Sequence, residues 1–300
     1  MIPHLHLHLE PSIRKQMEVG RKHTSVNGDE FFAFRRVDRT DRPRTKLTDL
    51  RDYLLALHAE QRGQGVDYVE MRLSPERFIR DGASWGRLLG ELQAVLWPLS
   101  EPRIRVVLVI VRGCPDKFIR EIHDTVLGTL PPVVVGLDLA GDERRPWDIS
   151  SVRSLFFAAR ETLGLAVHAG EFGTATDVWR AVDELGAQRI GHAVAAGKST
   201  ALLRRLAGDG IMVEVSLTSN LALGAVKSPG EHPVTAYVEH GVPICFNTDI
   251  PVETGCTLDD ELQLASRILG LGWDEILEIQ RNAMRFHFGR DQDFWRTTRT

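Results

Sequence analysis

Residues 4–9 read His-Leu-His-Leu-His-Leu and are followed by Glu10. Alternate residues of an extended strand project to one face, about 6.5–7 Å apart. This spacing predicts His4, His6 and His8 on one face, with Leu5, Leu7 and Leu9 turned toward a layer of helices. Two imidazoles so placed can converge on one metal ion. Comparable residues end later apolar runs: His168 closes LAVH, His192 closes RIGH, and Asp249 closes CFNTD. A His/His/His/Asp set suits zinc or another borderline divalent ion. A single buried histidine is more often a hydrogen-bonded structural residue. Four strand ends carrying such residues are much harder to reach by chance.

The elements that must position these residues follow from apolar periodicity. Strand-length apolar runs fall at 5–9, 66–73, 104–111, 133–139, 165–169, 189–192, 211–216 and 242–248. Helical patterns separate them, at 47–62, 85–97, 115–127, 150–162, 176–185, 199–207 and 234–240, with two more at 258–269 and 273–286. Thr48 is read as the cap of the first helix. Apolar strands alternating with helices predict a parallel sheet covered on both sides. Eight such units predict an α/β fold, a (β/α)8 TIM barrel with extra helices, whose strand C-termini meet at one mouth. No Gly-rich phosphate fingerprint follows any strand, which argues against a doubly wound dinucleotide-binding sheet. The expectation is one domain over 1–300. Within it, about 11–46 forms a lid-like insertion after strand 1, rich in charge and containing Phe31, Phe32 and Phe34.

Composition narrows the function classes. The 300-residue chain carries a formal net charge of -4, the wrong sign for a general nucleic-acid binder. No apolar run reaches about 18 residues, so no membrane span is expected. The N-terminus has no basic patch before an apolar run, and so does not read as a signal peptide. The three cysteines form no CxxC and read as reduced thiols of a cytoplasmic protein. His23, His58, His123, His232, His240 and His287 fit no motif and are read as structural or solvated. Arg144 and Arg145 read as a solvated charge pair; the alternative is a phosphate contact. The oligomeric state is left open.

Six segments carry a family resemblance: HLHLE (6–10), DLAGDE (138–143), HAGE (168–171), RIGH (189–192), VEVSLTSN (213–220) and NTDIP (247–251). In this order they resemble the motif series of the adenosine deaminase family, and the match runs on to RNAMRFHF (281–288). The resemblance implies a (β/α)8 barrel holding one zinc ion and hydrolytic deamination of a purine-type small molecule. It implies His6, His8, His168 and Asp249 as metal ligands, with His4 as a neighbour. By the same resemblance, Glu171 protonates the purine ring nitrogen beside the reacting carbon, and His192 orients the metal-bound water. Gly141 offers its backbone amide to another ring nitrogen, and Glu10 lies near the sugar. The cytidine-deaminase pattern of HxE with PCxxC is absent. No lysine follows the fourth strand, which favours one metal over two.

The departures bear on substrate. The family reads Thr-Asp-Asp-Pro where this chain has Thr248-Asp249-Ile250-Pro251. The second Asp hydrogen-bonds the imidazole-ring nitrogen of the purine, and Ile250 cannot. The loss leaves a buried partner unsatisfied, at a cost of about 1–3 kcal/mol. The expected substrate is therefore a modified or purine-like molecule in preference to ordinary adenosine. Pro11 replaces a usual glycine and redirects the loop at Glu10. Two alternatives stand beside this reading: release of an alkylamine from an N6-substituted purine or nucleotide, and a purine-binding pseudoenzyme.

Overall fold

The computed structural model describes residues 1–9, 47–126, 128, 130–145 and 148–289. The expectations for Glu10, Pro11, His23 and the 11–46 insertion lie outside these residues.

Eight parallel strands follow one another in chain order around one sheet. They are β1 (Pro3–His8), β2 (Tyr68–Leu73), β3 (Arg103–Val111), β4 (Val134–Ala140), β5 (Gly164–Ala169), β6 (Arg189–His192), β7 (Met212–Val215) and β8 (Ile244–Phe246). Helices pack outside, as in α1 (Leu47–Gly63), which buries Leu50, Tyr53, Leu54 and Leu57 at helical spacing against the sheet. Thr48 lies inside α1 and does not precede it, so the expected cap is corrected. Three short helices were not apparent from periodicity: Pro75–Arg80, Leu217–Ala222 and Pro251–Thr254. Each follows a strand too closely to develop a repeating apolar stripe.

The seam between β8 and β1 closes the barrel. His8 N–H donates to the Asp249 carbonyl (2.8 Å), and Asp249 N–H donates to the His6 carbonyl (3.1 Å). Below this, the Asn247 side chain replaces the ladder: its Oδ1 accepts both Leu5 N–H and His6 N–H, each at 2.9 Å. Consecutive amides aimed at one acceptor mark a bulge, and the β1 register shifts between His4 and Leu7. The bulge overturns the simple alternation expected of residues 4–9. Leu5 packs with Tyr68, Met212 and Cys245 inside the barrel. His4 instead bonds Gln61 of α1 through Nδ1 (2.7 Å) and accepts from Thr248 N–H through Nε2 (3.1 Å). It shares no face with His6 and His8.

The barrel interior holds a buried charge network. Arg72 bonds Asp138 (2.6 Å) and Glu214 (2.5 Å), while Arg189 bonds Glu70 (2.5 Å) and approaches Glu214 (2.9 Å). All five side chains are fully buried. Phe288 covers this network from below, its ring 3.5 Å from the Arg189 guanidinium and its N–H on Glu70 Oε1. Gly164 makes room for the ring, since a Cβ there would sit 2.0 Å from Phe288 Cδ1.

Asn247→Ala orphans two buried amides at the seam. It is expected to cost about 2–4 kcal/mol in denaturant unfolding. A loss below about 0.5 kcal/mol would show that the seam does not rely on this amide.

Candidate metal and catalytic site

The C-terminal ends of β1, β5, β6 and β8 meet at the mouth. His6 and His8 project inward after the bulge. His168 ends β5, His192 ends β6, and Asp249 follows β8. His192 and Asp249 have φ of +66° and +57°. Non-glycine residues adopt this left-handed backbone rarely, and it concentrates where a site demands a particular side-chain direction.

Three imidazole nitrogens and one carboxylate oxygen converge. His6 Nε2 lies 3.2 Å from His8 Nε2, and His8 Nε2 lies 3.2 Å from His168 Nε2. Asp249 Oδ1 lies 3.2 Å from His6 Nε2 and 3.5 Å from His8 Nε2. His6, His168, His192 and Asp249 offer donor atoms all within 4.8 Å of one another. The other ring nitrogens of two of these histidines are already committed. His6 Nδ1 faces Glu214 Oε2 (2.8 Å), and His168 Nδ1 faces Asp138 Oδ2 (3.1 Å). Carboxylates accept, so both Nδ1 atoms carry a proton, and the Nε2 atoms are the ones that face the cage. One proton placed among these four atoms can satisfy one contact at most, whereas a cation satisfies them all. With zinc–nitrogen bonds of about 2.0–2.1 Å, ligands at tetrahedral corners lie about 3.3 Å apart. The spacing and the donor types fit zinc.

The carboxylates that hold His6 and His168 are themselves held by Arg72, so the charge network below the mouth orients these imidazoles above it. Asp249 Oδ2 accepts from Ser219 Oγ (2.5 Å), leaving Oδ1 for the cage. Glu143 fixes the loop that carries Glu171. Its Oε2 accepts N–H from Gly170 and Gly173, each at 2.8 Å.

Glu171 stands beside His192, with 3.7 Å between Oε1 and Nδ1. Burial pushes its carboxyl well above the usual carboxylate range, and the charges of Asp249 and Glu143 push it the same way. It therefore holds a proton at a pH where an exposed glutamate has lost one. Burial lowers the His192 pKa to about 3, keeping that ring neutral. Asn220 Nδ2 reaches both groups, at 2.9 Å to Glu171 Oε1 and 3.0 Å to His192 Nδ1.

Gly141 follows β4 on the same rim. Its φ is +116°, and a Cβ there would lie 3.1 Å from the Arg112 amide, so only glycine fits. Ile250 is buried in a small apolar cluster with Leu223, against which Phe172 packs. Arg144 is tied to Asp142 by Nε (2.8 Å), and its guanidinium lies 5.4 Å from the Phe172 ring centroid. Sequence reasoning missed Arg72, Glu214, Ser219 and Asn220. Ser219 and Asn220 lay in plain view within the VEVSLTSN segment, whose polar end asks for a partner in an otherwise apolar run.

The adenosine deaminase family model matches residues 37–293. An adenosine deaminase of Yersinia enterocolitica is 30% identical over 316 aligned positions, covering 96% of this chain and 94% of its own. An amidohydrolase of Burkholderia ambifaria, solved with bound Zn, superposes with a TM-score of 0.80 at 18% identity, covering 99% and 88% of the two chains. The N6-methyl-AMP deaminase of Arabidopsis thaliana superposes with a TM-score of 0.70 at 21% identity, covering 98% and 94%. The eight-stranded barrel is thus a fold shared with these solved structures. The chain belongs to the adenosine deaminase family and is a hydrolytic deaminase. Among the described residues no helix is long and apolar enough to cross a membrane.

Asp138→Asn preserves volume but weakens the grip on His168 Nδ1. Divalent-metal affinity is expected to fall about 10–100-fold in chelator competition. Unchanged affinity would show that this carboxylate does not orient the ligand.

Proposed function

We propose that the protein is a zinc-dependent hydrolytic deaminase of a purine-type small molecule other than ordinary adenosine. The observation that carries the reading is the convergence of three imidazole nitrogens and Asp249 Oδ1 beside the buried Glu171. His6, His8, His168 and Asp249 would hold one zinc ion. Zinc held there would make water a nucleophile at neutral pH, lowering a pKa of 15.7 toward about 7.

The chain's own groups account for the rest of the chemistry. Deamination adds water at an amino-bearing ring carbon and expels ammonia, so the adjacent ring nitrogen must accept a proton. Glu171 holds that proton, because its carboxyl is buried among other negative charges. That proton stays on the ring nitrogen of the keto product; of the two protons of water, one passes to the departing nitrogen and one restores Glu171, so water enters and ammonia leaves. His192, neutral, offers one N–H to the oxygen that develops charge. Asp249 Oδ1 accepts from the attacking water. Gly141 presents its backbone amide to the ring.

The substrate preference rests on Ile250. It presents no hydrogen-bonding group where the family has a carboxylate, and Leu223 and Phe172 extend the apolar surface. A purine with carbon or a shielded nitrogen at that edge suits this wall better than adenosine. A second reading, release of an alkylamine from an N6-substituted purine nucleotide, is favoured by the likeness to the N6-methyl-AMP deaminase.

The deciding experiment is an amine-release screen on metal-assayed protein. Its panel contains adenosine, adenine, AMP, 7-deaza analogues and N6-substituted purines, with the released amine identified. Clear preference for plain adenosine would overturn the Ile250 argument. Zinc-containing protein that releases no amine from any member would favour the pseudoenzyme. Glu171→Gln is expected to keep the metal and lose at least about 100-fold in kcat. Because Glu171 must be protonated to act, wild-type kcat/KM is expected to hold at lower pH and fall as pH rises through its elevated pKa. A profile flat through that range would remove Glu171 as the acid.

A further inference from the structure

His232 matches no motif and lies buried after the turn Pro229–Glu231. Its two ring nitrogens meet partners of opposite kind. Nδ1 accepts the Val234 amide N–H (3.1 Å), and Nε2 lies 3.2 Å from Asn220 Oδ1. A backbone amide can only donate, so Nδ1 is the acceptor and Nε2 carries the proton. That N–H must find an acceptor, which fixes Asn220 with Oδ1 toward His232 and Nδ2 toward the site. The two hydrogens of Nδ2 then match two acceptors, Glu171 Oε1 (2.9 Å) and His192 Nδ1 (3.0 Å). The opposite amide orientation would set an oxygen against the Glu171 carboxyl and an N–H against an N–H.

We infer that His232 is a positioning residue which, through Asn220, fixes the Nε2–H tautomer of His192 and leaves Oε2 of Glu171 as the oxygen that carries the proton. The chain of donors runs one way only: Val234 N–H to His232, His232 N–H to Asn220, Asn220 N–H to His192 and Glu171. Burial keeps His232 neutral, its pKa lowered to about 4, so the direction holds across the neutral range. His192 therefore meets its Asn220 contact with a lone pair and has Nε2–H left to give. The inference deepens the proposed function, since the two protons it places are those the deamination uses.

The test reads the tautomer directly. Protein labelled with 15N-histidine and loaded with Zn(II) is examined by two-bond 1H–15N correlation, with His192 assigned by the loss of its signals in His192→Gln. The wild type is expected to show His192 as Nε2–H. In His232→Phe that form should no longer be the sole population. There kcat on the screen's best substrate should fall about 10–100-fold, with KM within about threefold and zinc content unchanged. His232→Gln, whose amide can accept from Val234 and donate to Asn220, should restore the tautomer and most of kcat. A wild-type Nδ1–H form at His192 overturns the inference. So do equal losses in the Phe and Gln variants with the tautomer unchanged, which would mark a packing role. If His232→Phe does not fold, the wild-type and Gln spectra decide. The spectra need no substrate, so a His192 tautomer that follows His232 in a protein without purine turnover would sink the proposed function and leave this inference standing.

Discussion

Arg72 is the interaction on which the mouth of this barrel depends. Its guanidinium reaches Asp138 on one side and Glu214 on the other. Those carboxylates hold the Nδ1 protons of His168 and His6. A guanidinium is planar, permanently charged and forked, so it can span two carboxylates and orient both. Burying so many charges is costly unless each is paired. The Glu70–Arg189 pair and the Phe288 lid on it complete the pairing below. The imidazoles at the top are thus aimed from the floor upward, through layers of fixed hydrogen bonds.

A barrel interior of this kind is commonly filled by bulky branched side chains. Here charged side chains occupy those layers, and the apolar core lies mainly between sheet and helices. The division of labour is physical. Apolar burial drives folding without fixing direction, while hydrogen-bonded charges fix direction at little net gain in stability. The site has its own version of this arrangement. Glu143 anchors the loop of Glu171 by three backbone amides, and Ser219 holds one oxygen of Asp249.

The strand series and the convergence of His6, His8, His168, His192 and Asp249 were legible in the sequence, because apolar runs and strand-end residues are local signals. What was not legible depends on distant partners. The bulge in β1 comes from Asn247, far along the chain, and it removes His4 from the face that alternation assigns to it. Glu70, Arg72 and Glu214 each read as an isolated charge in a strand. Only closure of the barrel brings β2, β4, β6 and β7 to face one another across its interior. His232 read as bland for a similar reason, since its meaning lies in the two neighbours that dictate its proton.

The seam between first and last strand carries few ladder hydrogen bonds of its own. His6 and His8 stand on one side of it and Asp249 on the other. A cation gripped by these residues is therefore a clasp across the weakest join of the barrel. Its binding energy and the energy of barrel closure are linked quantities, as for any ligand that recognises only the folded chain. The chemistry at the mouth and the integrity of the fold are fastened by the same few atoms.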